Sequence, residues 1–184
     1  MILSIEQQLL KASLLCGLRP EQQPAYRLQL FFIANKDVDS KSHQSDFQRA
    51  LETGVDQKRL WGNYVEKGSG EYLITELGYD RAVSLFGKIE PIYPPVYGKD
   101  YHIEMVGKIN NMKIKLETKG SGKRSTTVYI NNEAVKSAKE TCKIIEMNSK
   151  LYLPTEGESA VRVLYNMAID YDFELIWRGP VRSI

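Results

Sequence analysis

Histidine and cysteine are nearly missing from this chain, with two of each in 184 residues. His43, His102, Cys16 and Cys142 lie far apart, and none of their spacings is that of a zinc site, so no metal centre is expected from them. Both cysteines fall in apolar helical patterns and read as buried free thiols. Long apolar runs are missing too. The opening MILSIEQQLLKASLLCGL carries Glu6 and Lys11, lacks a basic leading stretch and a small-residue cleavage site, and reads as a mature helix. No later segment approaches the length needed to cross a bilayer, so a cytoplasmic protein without a membrane partner is expected. Charge of one sign is not in excess either, since 25 Lys and Arg face 23 Asp and Glu. A global field that would draw polyanions is thereby excluded, and any nucleic-acid contact has to rest on local patches. For nucleophilic catalysis, neither a G-x-S-x-G elbow nor a Cys beside a suitable His is present.

What the chain does contain is periodicity, over a 42% hydrophobic composition that is enough for a packed core. Ser4 with Gln7 has capping-box form ahead of a stripe of Ile5, Leu9, Leu10, Ala12, Leu14 and Leu15, which Gly17 ends. A second helix is predicted from about Pro24, apolar over most of its circumference through Tyr26, Leu28, Leu30, Phe31, Phe32 and Ile33, and therefore the buried centre of the first half. A third, about Gln44 to Thr53, turns Phe47, Ala50 and Leu51 inward, with Gly54 as its stop signal. The segment DQKRLWGNYVEKG reads either as helix throughout or as a turn into a strand at Gly62. Then Tyr72 to Thr75 reads as a short strand, and Thr75 caps a helix whose inner face is Leu77, Ala82, Val83, Leu85 and Phe86.

Helices, a Gly-tipped hairpin and the phrase YLITELGYDRAV, taken in that order over roughly residues 20 to 88, resemble a winged-helix domain. Its last wing strand runs into a closing helix through a similar Leu-Thr-Glu-x-Gly phrase. The resemblance implies duplex DNA as partner, with the segment before the wing in a major groove and the wing tip on phosphates. Lys58, Arg59 and Asn63, then Lys67 and Ser69 at the tip, are the residues it singles out. Gln48 and Arg49 replace them if the preceding helix is the reader.

Three prolines between Gly87 and Asp100 mark a domain boundary, giving residues 1–88, a linker 89–99 and a second domain 100–184. Beyond the boundary the hydrophobic period becomes two. YHIEMVG, MKIKLETK and TTVYIN read as a three-stranded antiparallel meander. Helical patterning follows at Val135, Ala138, Cys142 and Ile145, and Thr155 with Glu158 opens a further helix holding Val161, Leu164, Tyr165 and Ala168. FELIW returns to the sheet. The expected class is α+β, with a mostly helical first domain and, in the second, an antiparallel sheet bearing two helices on one face.

The run KGSG occurs twice, at Lys67–Gly70 and Lys119–Gly122, each time between candidate strands, and reads as two hairpin tips. A Walker loop is excluded, because GSGKRSTTVYI leads into a β-branched strand rather than a helix. Around the second copy stand Lys108, Lys113, Lys115, Lys119, Lys123 and Arg124 against Glu117 alone. In a strand, Lys113, Lys115, Glu117 and Lys119 share one face, either as an ordinary solvated surface or as a contact for a polyanion backbone, with Tyr129 and Tyr101 as stacking surfaces beside it. The reading adopted is duplex nucleic-acid binding by the winged helix plus this basic hairpin, with no cofactor or metal and with a homodimer allowed. The alternative is an endonuclease of PD-(D/E)xK type, in which Asp100 and Glu117 share Mg²⁺ and Lys119 orients water. His102 beside Glu104 reads as a surface residue, and Asp170, Asp172 and Glu174 as the polar face of the last strand. A small-molecule pocket lined by Tyr152, Tyr165 and Trp177 is the remaining option.

Overall fold

A computed structural model describes residues 2–38, 41–67, 70–93, 101–121, 123–135, 137, 139–143 and 160–179. The protein is α+β and divides into two compact units; the described part of the first ends at Tyr93 and that of the second begins at Tyr101. The first contains α1 (Ile5–Leu15), β1 (Ala25–Tyr26), α2 (Arg27–Asp37), α3 (Gln44–Asp56), β2 (Trp61–Asn63), β3 (Glu71–Ile74) and α4 (Glu76–Phe86). The capping box forms as the sequence predicts. Ser4 Oγ accepts from Gln7 N–H at 3.2 Å, and the Gln7 side chain accepts from Ser4 N–H at 3.0 Å. The centre of this unit is α2, where every residue from Leu28 to Ala34 is buried. Phe31 meets Phe47 of α3 edge-on, with ring centroids 5.5 Å apart. The strands lie in the order β1–β3–β2, antiparallel throughout.

Several boundaries move, each for a local reason. Ala25 and Tyr26 pair with Tyr72 and Glu71, so α2 begins at Arg27 instead of near Pro24. Gly54 does not stop α3 but lies inside it, because a Cβ there would come within 2.4 Å of Trp61 Cε3. The turn after α3 is made by Arg59 at φ 54°, and Trp61 then pairs with Ile74, so Lys58 and Arg59 lie in a turn and Asn63 on a strand. On α4 the buried positions are Gly78 and Ala82, whereas Leu77 and Leu85 are 56% and 43% exposed. The helix packs through a narrow seam of small residues, and both leucines fall outside it. The segment read as linker is anchored at its start: Ile92 and Tyr93 N–H both donate to Leu15 C=O, and Tyr93 is buried.

The second unit contains β4 (Tyr101–Ile109), β5 (Met112–Ser121), β6 (Lys123–Ile130), β7 (Glu133–Val135), α5 (Ala160–Asp170) and β8 (Glu174–Gly179). They form one antiparallel sheet in the order β7–β6–β5–β4–β8. Asn110–Asn111 and Asn131–Asn132 have φ of 46°, 68°, 50° and 69°, the left-handed pairs that two-residue hairpins require. The second of these turns makes Glu133–Val135 a strand, where helical patterning had been predicted from Val135. Ile103, Met105, Ile114, Leu116 and Val128 are buried on one side of the sheet. On that side the Tyr165 hydroxyl of α5 bonds Thr118 and Thr126, so Tyr165 belongs to the core and not to a ligand pocket. Of the other predicted helix, residues 139–143 are helical, and Cys142 there is buried and outside any disulfide, like Cys16. Asp170, Asp172 and Glu174 do not share a strand face: the first ends α5, the second turns the chain at φ 56°, and the third begins β8. Tyr152, Thr155, Glu158, Ala138 and Ile145 lie outside the described residues.

Candidate functional site

The side of the sheet away from the buried side is polar, and the strand register fixes its pattern. Across β4 and β5, Lys108 stands opposite Lys113, Val106 opposite Lys115, Glu104 opposite Glu117, and His102 opposite Lys119. β8 adds Ile176 beside Glu104, and β6 adds Tyr129 beside Lys115. An open groove of about 330 Å³ runs between Glu104, Lys113, Lys115, Tyr129, Glu174 and Arg178. The predicted sharing of one face by Lys113, Lys115, Glu117 and Lys119 thus holds, and β4 and β8 complete that face.

The cations on it are of two kinds. Lys115 and Lys119 flank Glu117, with Nζ 3.6 Å from Oε2 and 3.3 Å from Oε1. The Lys115 ammonium also stands 4.4 Å above the Tyr129 ring, a cation–π contact. Arg178 Nε donates to Glu104 Oε2 at 3.2 Å. Lys108 and Lys113, by contrast, are exposed, face each other, and form no ion pair with a described residue.

At the middle of the face the sequence reading undervalued two residues. Glu104 is buried, at 7% exposure, and His102 is half-buried. His102 Nε2 lies 3.3 Å from Glu104 Oε1 and 3.5 Å from Glu117 Oε2, yet the nitrogen is enclosed and makes no hydrogen bond. The three ligand-type atoms are within 4.8 Å of one another, and among the described residues they are the group close enough together to hold a metal ion. Burial pushes the Glu117 carboxyl upward; the Lys119 hydrogen bond and charge, with His102 and Lys115 behind them, outweigh that and hold it below its ordinary value. The sequence signal for this centre is H-x-E on one strand running antiparallel to E-x-K on the next. It becomes visible only once the register is known.

The other predicted residues lie elsewhere. Lys123 and Arg124 begin β6, opposite Ser121 and Gly120. In the first unit, Lys58 forms an ion pair with Glu6, which also holds Arg81 Nε at 3.2 Å. Lys67 Nζ lies 3.0 Å from Asp56 Oδ2, and that contact raises its pKa. Arg59 is exposed in its turn, and Asn63 closes β2 opposite Tyr72. Gln48 donates to Glu52 Oε1 at 3.0 Å, while Arg49 is exposed on α3. Asp100 and Ser69 lie outside the described residues. No family model, curated protein or solved structure matches the chain.

Proposed function

We propose that the protein binds a nucleic-acid backbone, and that the polar face of the second unit carries the contact. The observation that supports this best is the Lys108–Lys113 pair. Like charges directly opposite across two strands destabilise a sheet, and an external anion would relieve the repulsion. Among the described side chains of the face, Lys108, Lys113, Lys115, Lys119 and Arg178 exceed Glu104, Glu117 and Glu174 by two charges, five against three. Tyr129 offers an aromatic surface at the groove for a base or sugar.

The order of helices, short hairpin and closing helix in the first unit supports the winged-helix resemblance, with α3 as the helix before the hairpin. Its charges weigh the other way. α3 carries Asp46, Glu52 and Asp56 against Arg49, and Lys58 and Lys67 are already paired with carboxylates. This unit would therefore add position rather than affinity. A cytoplasmic regulator fits this reading; no helix among the described residues is long and apolar enough to cross a membrane.

If four lysines each displace one counterion, affinity should fall roughly 100-fold between 50 and 200 mM salt. Fluorescence anisotropy with labelled duplex DNA and RNA across that range is the test. The double change Lys108→Ala, Lys113→Ala should flatten the logarithmic salt slope by about two. Absence of binding at 50 mM salt to either duplex overturns the proposal. A second reading, Mg²⁺-dependent cleavage, is favoured by the contact between Lys119 and Glu117, the E-x-K arrangement it needs. Plasmid incubated with Mg²⁺ should then be cut by the native protein and left intact by Glu117→Ala.

A further inference from the structure

We propose that His102, Glu104 and Glu117 bind a divalent cation of the zinc class. This rests on the three side chains and not on the nucleic-acid reading. Two carboxylates stand directly opposite each other across β4 and β5, one of them buried, which is an unfavourable arrangement without a compensating charge. Each has one oxygen on a cation and the other toward the imidazole, that of Glu117 being shared with a second lysine. Glu104 Oε2 takes Arg178 and Glu117 Oε1 takes Lys119, while Glu104 Oε1 and Glu117 Oε2 lie toward His102 Nε2, the latter also 3.6 Å from Lys115 Nζ.

The enclosed Nε2 makes no hydrogen bond to either oxygen, although both are close enough for one. A nitrogen this close to an oxygen of each of two carboxylates is placed to share an ion with them. With metal–ligand bonds of about 2.0–2.2 Å, neighbouring donors of a tetrahedral site lie roughly 3.3–3.6 Å apart. The two imidazole–carboxylate separations are 3.3 and 3.5 Å. Calcium needs bonds of about 2.3–2.6 Å and six or more oxygens, and Mg²⁺ prefers an all-oxygen octahedron. An imidazole with two carboxylates fits Zn²⁺ instead.

Arg178 and Lys119 then act as the outer partners that aim each carboxylate. Lys115 can leave Glu117 without losing its place over Tyr129. Three protein ligands leave a fourth position for water or an anionic oxygen.

The test uses the full-length protein stripped with EDTA and titrated with Zn²⁺ against a chromophoric chelator and by calorimetry. One ion per chain is expected. His102→Gln and Glu117→Gln should each lower its affinity by more than the roughly 10–100-fold expected for Arg178→Gln. Thermal unfolding of each variant checks that it folds. If a variant does not, the native protein still decides: Zn²⁺ should shift the ring ¹⁵N resonances of His102 and leave those of His43 unmoved. No saturable binding, binding that survives His102→Gln, or an unmoved His102 resonance overturns the proposal. So does millimolar Mg²⁺ displacing the ion, which would mark the cluster as a hard-cation site. Duplex binding measured in EDTA is unaffected by these outcomes, so the two readings fail separately.

Discussion

Replacing Gly78 by alanine sets two effects of opposite sign against each other. Gly78 is in the first turn of a helix, where alanine is favoured over glycine by about 1 kcal/mol. On propensity alone Gly78→Ala is stabilising. The added Cβ, however, would lie 2.0 Å from the carbonyl oxygen of Leu60 and 2.9 Å from its carbon. Carbon–oxygen contacts begin at about 3.3 Å, so the helix or the turn has to retreat by more than about an ångström. That oxygen is not free to move: it accepts from the Thr75 N–H at 3.0 Å, and the Thr75 hydroxyl, shared between the carbonyls of Arg59 and Leu60, accepts from Gly78 N–H at 3.0 Å. Overpacking against a soft side chain costs about 1–3 kcal/mol, and backbone is stiffer, so the clash dominates. The net expectation is a loss of about 2 kcal/mol, or roughly 10 °C in the melting midpoint of a unit this size. Gly62→Ala is the control, since nothing lies within 4 Å of its Cβ position. Differential scanning calorimetry of both variants gives the comparison. A Gly78→Ala midpoint equal to or above that of the native protein refutes the argument.

Gly107→Ala should be similarly harmful but in the second unit, because its Cβ would fall 2.2 Å from the Phe173 ring; a calorimetric trace in which only the first unit's transition moves would contradict this. Tyr165→Phe removes the hydroxyl shared by Thr118 and Thr126, which keep their mutual contact at 3.1 Å, so about 1 kcal/mol should be lost in urea unfolding of that unit. Tyr93 has its pKa raised by burial first and then by its hydrogen bond to Asp37 and that carboxylate's charge. Its folded form therefore keeps the proton longer than the unfolded chain, and its contribution is full below about pH 10 and lost as pH rises beyond. Tyr93→Phe should flatten the alkaline fall in the urea midpoint without abolishing it, because burial raises Tyr72 as well; an unchanged slope would count against the assignment.

Legibility followed the range of the interaction. Capping at Ser4 and Thr75 was readable because donor and acceptor are three residues apart. The α+β class was readable because the hydrophobic period changes near residue 100. Gly54 was misread because a helix-interior glycine signals an end unless Trp61, seven positions on, is known to fill the space. The inner face of α4 was read only in part: Ala82 was placed there, but Leu77 and Leu85 were added and Gly78 was missed, since a glycine in a packing seam is invisible to a rule that counts apolar side chains. The lysines of β5 were readable from alternation within one strand. The His102–Glu104–Glu117 centre was not, because its members lie on two strands whose alignment sets which residues meet.

Register also decides how the two proposed ligands would affect each other. In the metal-free protein Glu117 holds both Lys115 and Lys119, so a phosphate backbone has to compete with an internal carboxylate for two of its contacts. Ion pairs of this partly exposed kind contribute only about 0–1 kcal/mol each, yet two of them offset an appreciable share of a weak phosphate contact. A dication on His102, Glu104 and Glu117 would take over Glu117 Oε2 and release the Lys115 ammonium toward the groove, with Lys119 left on Oε1. Zn²⁺ should accordingly tighten duplex binding, by up to about 5-fold if one such pair is freed at low salt. Linkage requires the duplex to tighten Zn²⁺ by the same factor. Measuring both affinities in one buffer, with the other ligand absent and then saturating, closes the cycle. His102→Gln should keep the metal-free duplex affinity and lose the enhancement. Equal duplex affinity in EDTA and in saturating Zn²⁺ would mean that Glu117 does not restrain the lysines, and the ion pairs would then have to be assigned to the solvated surface alone.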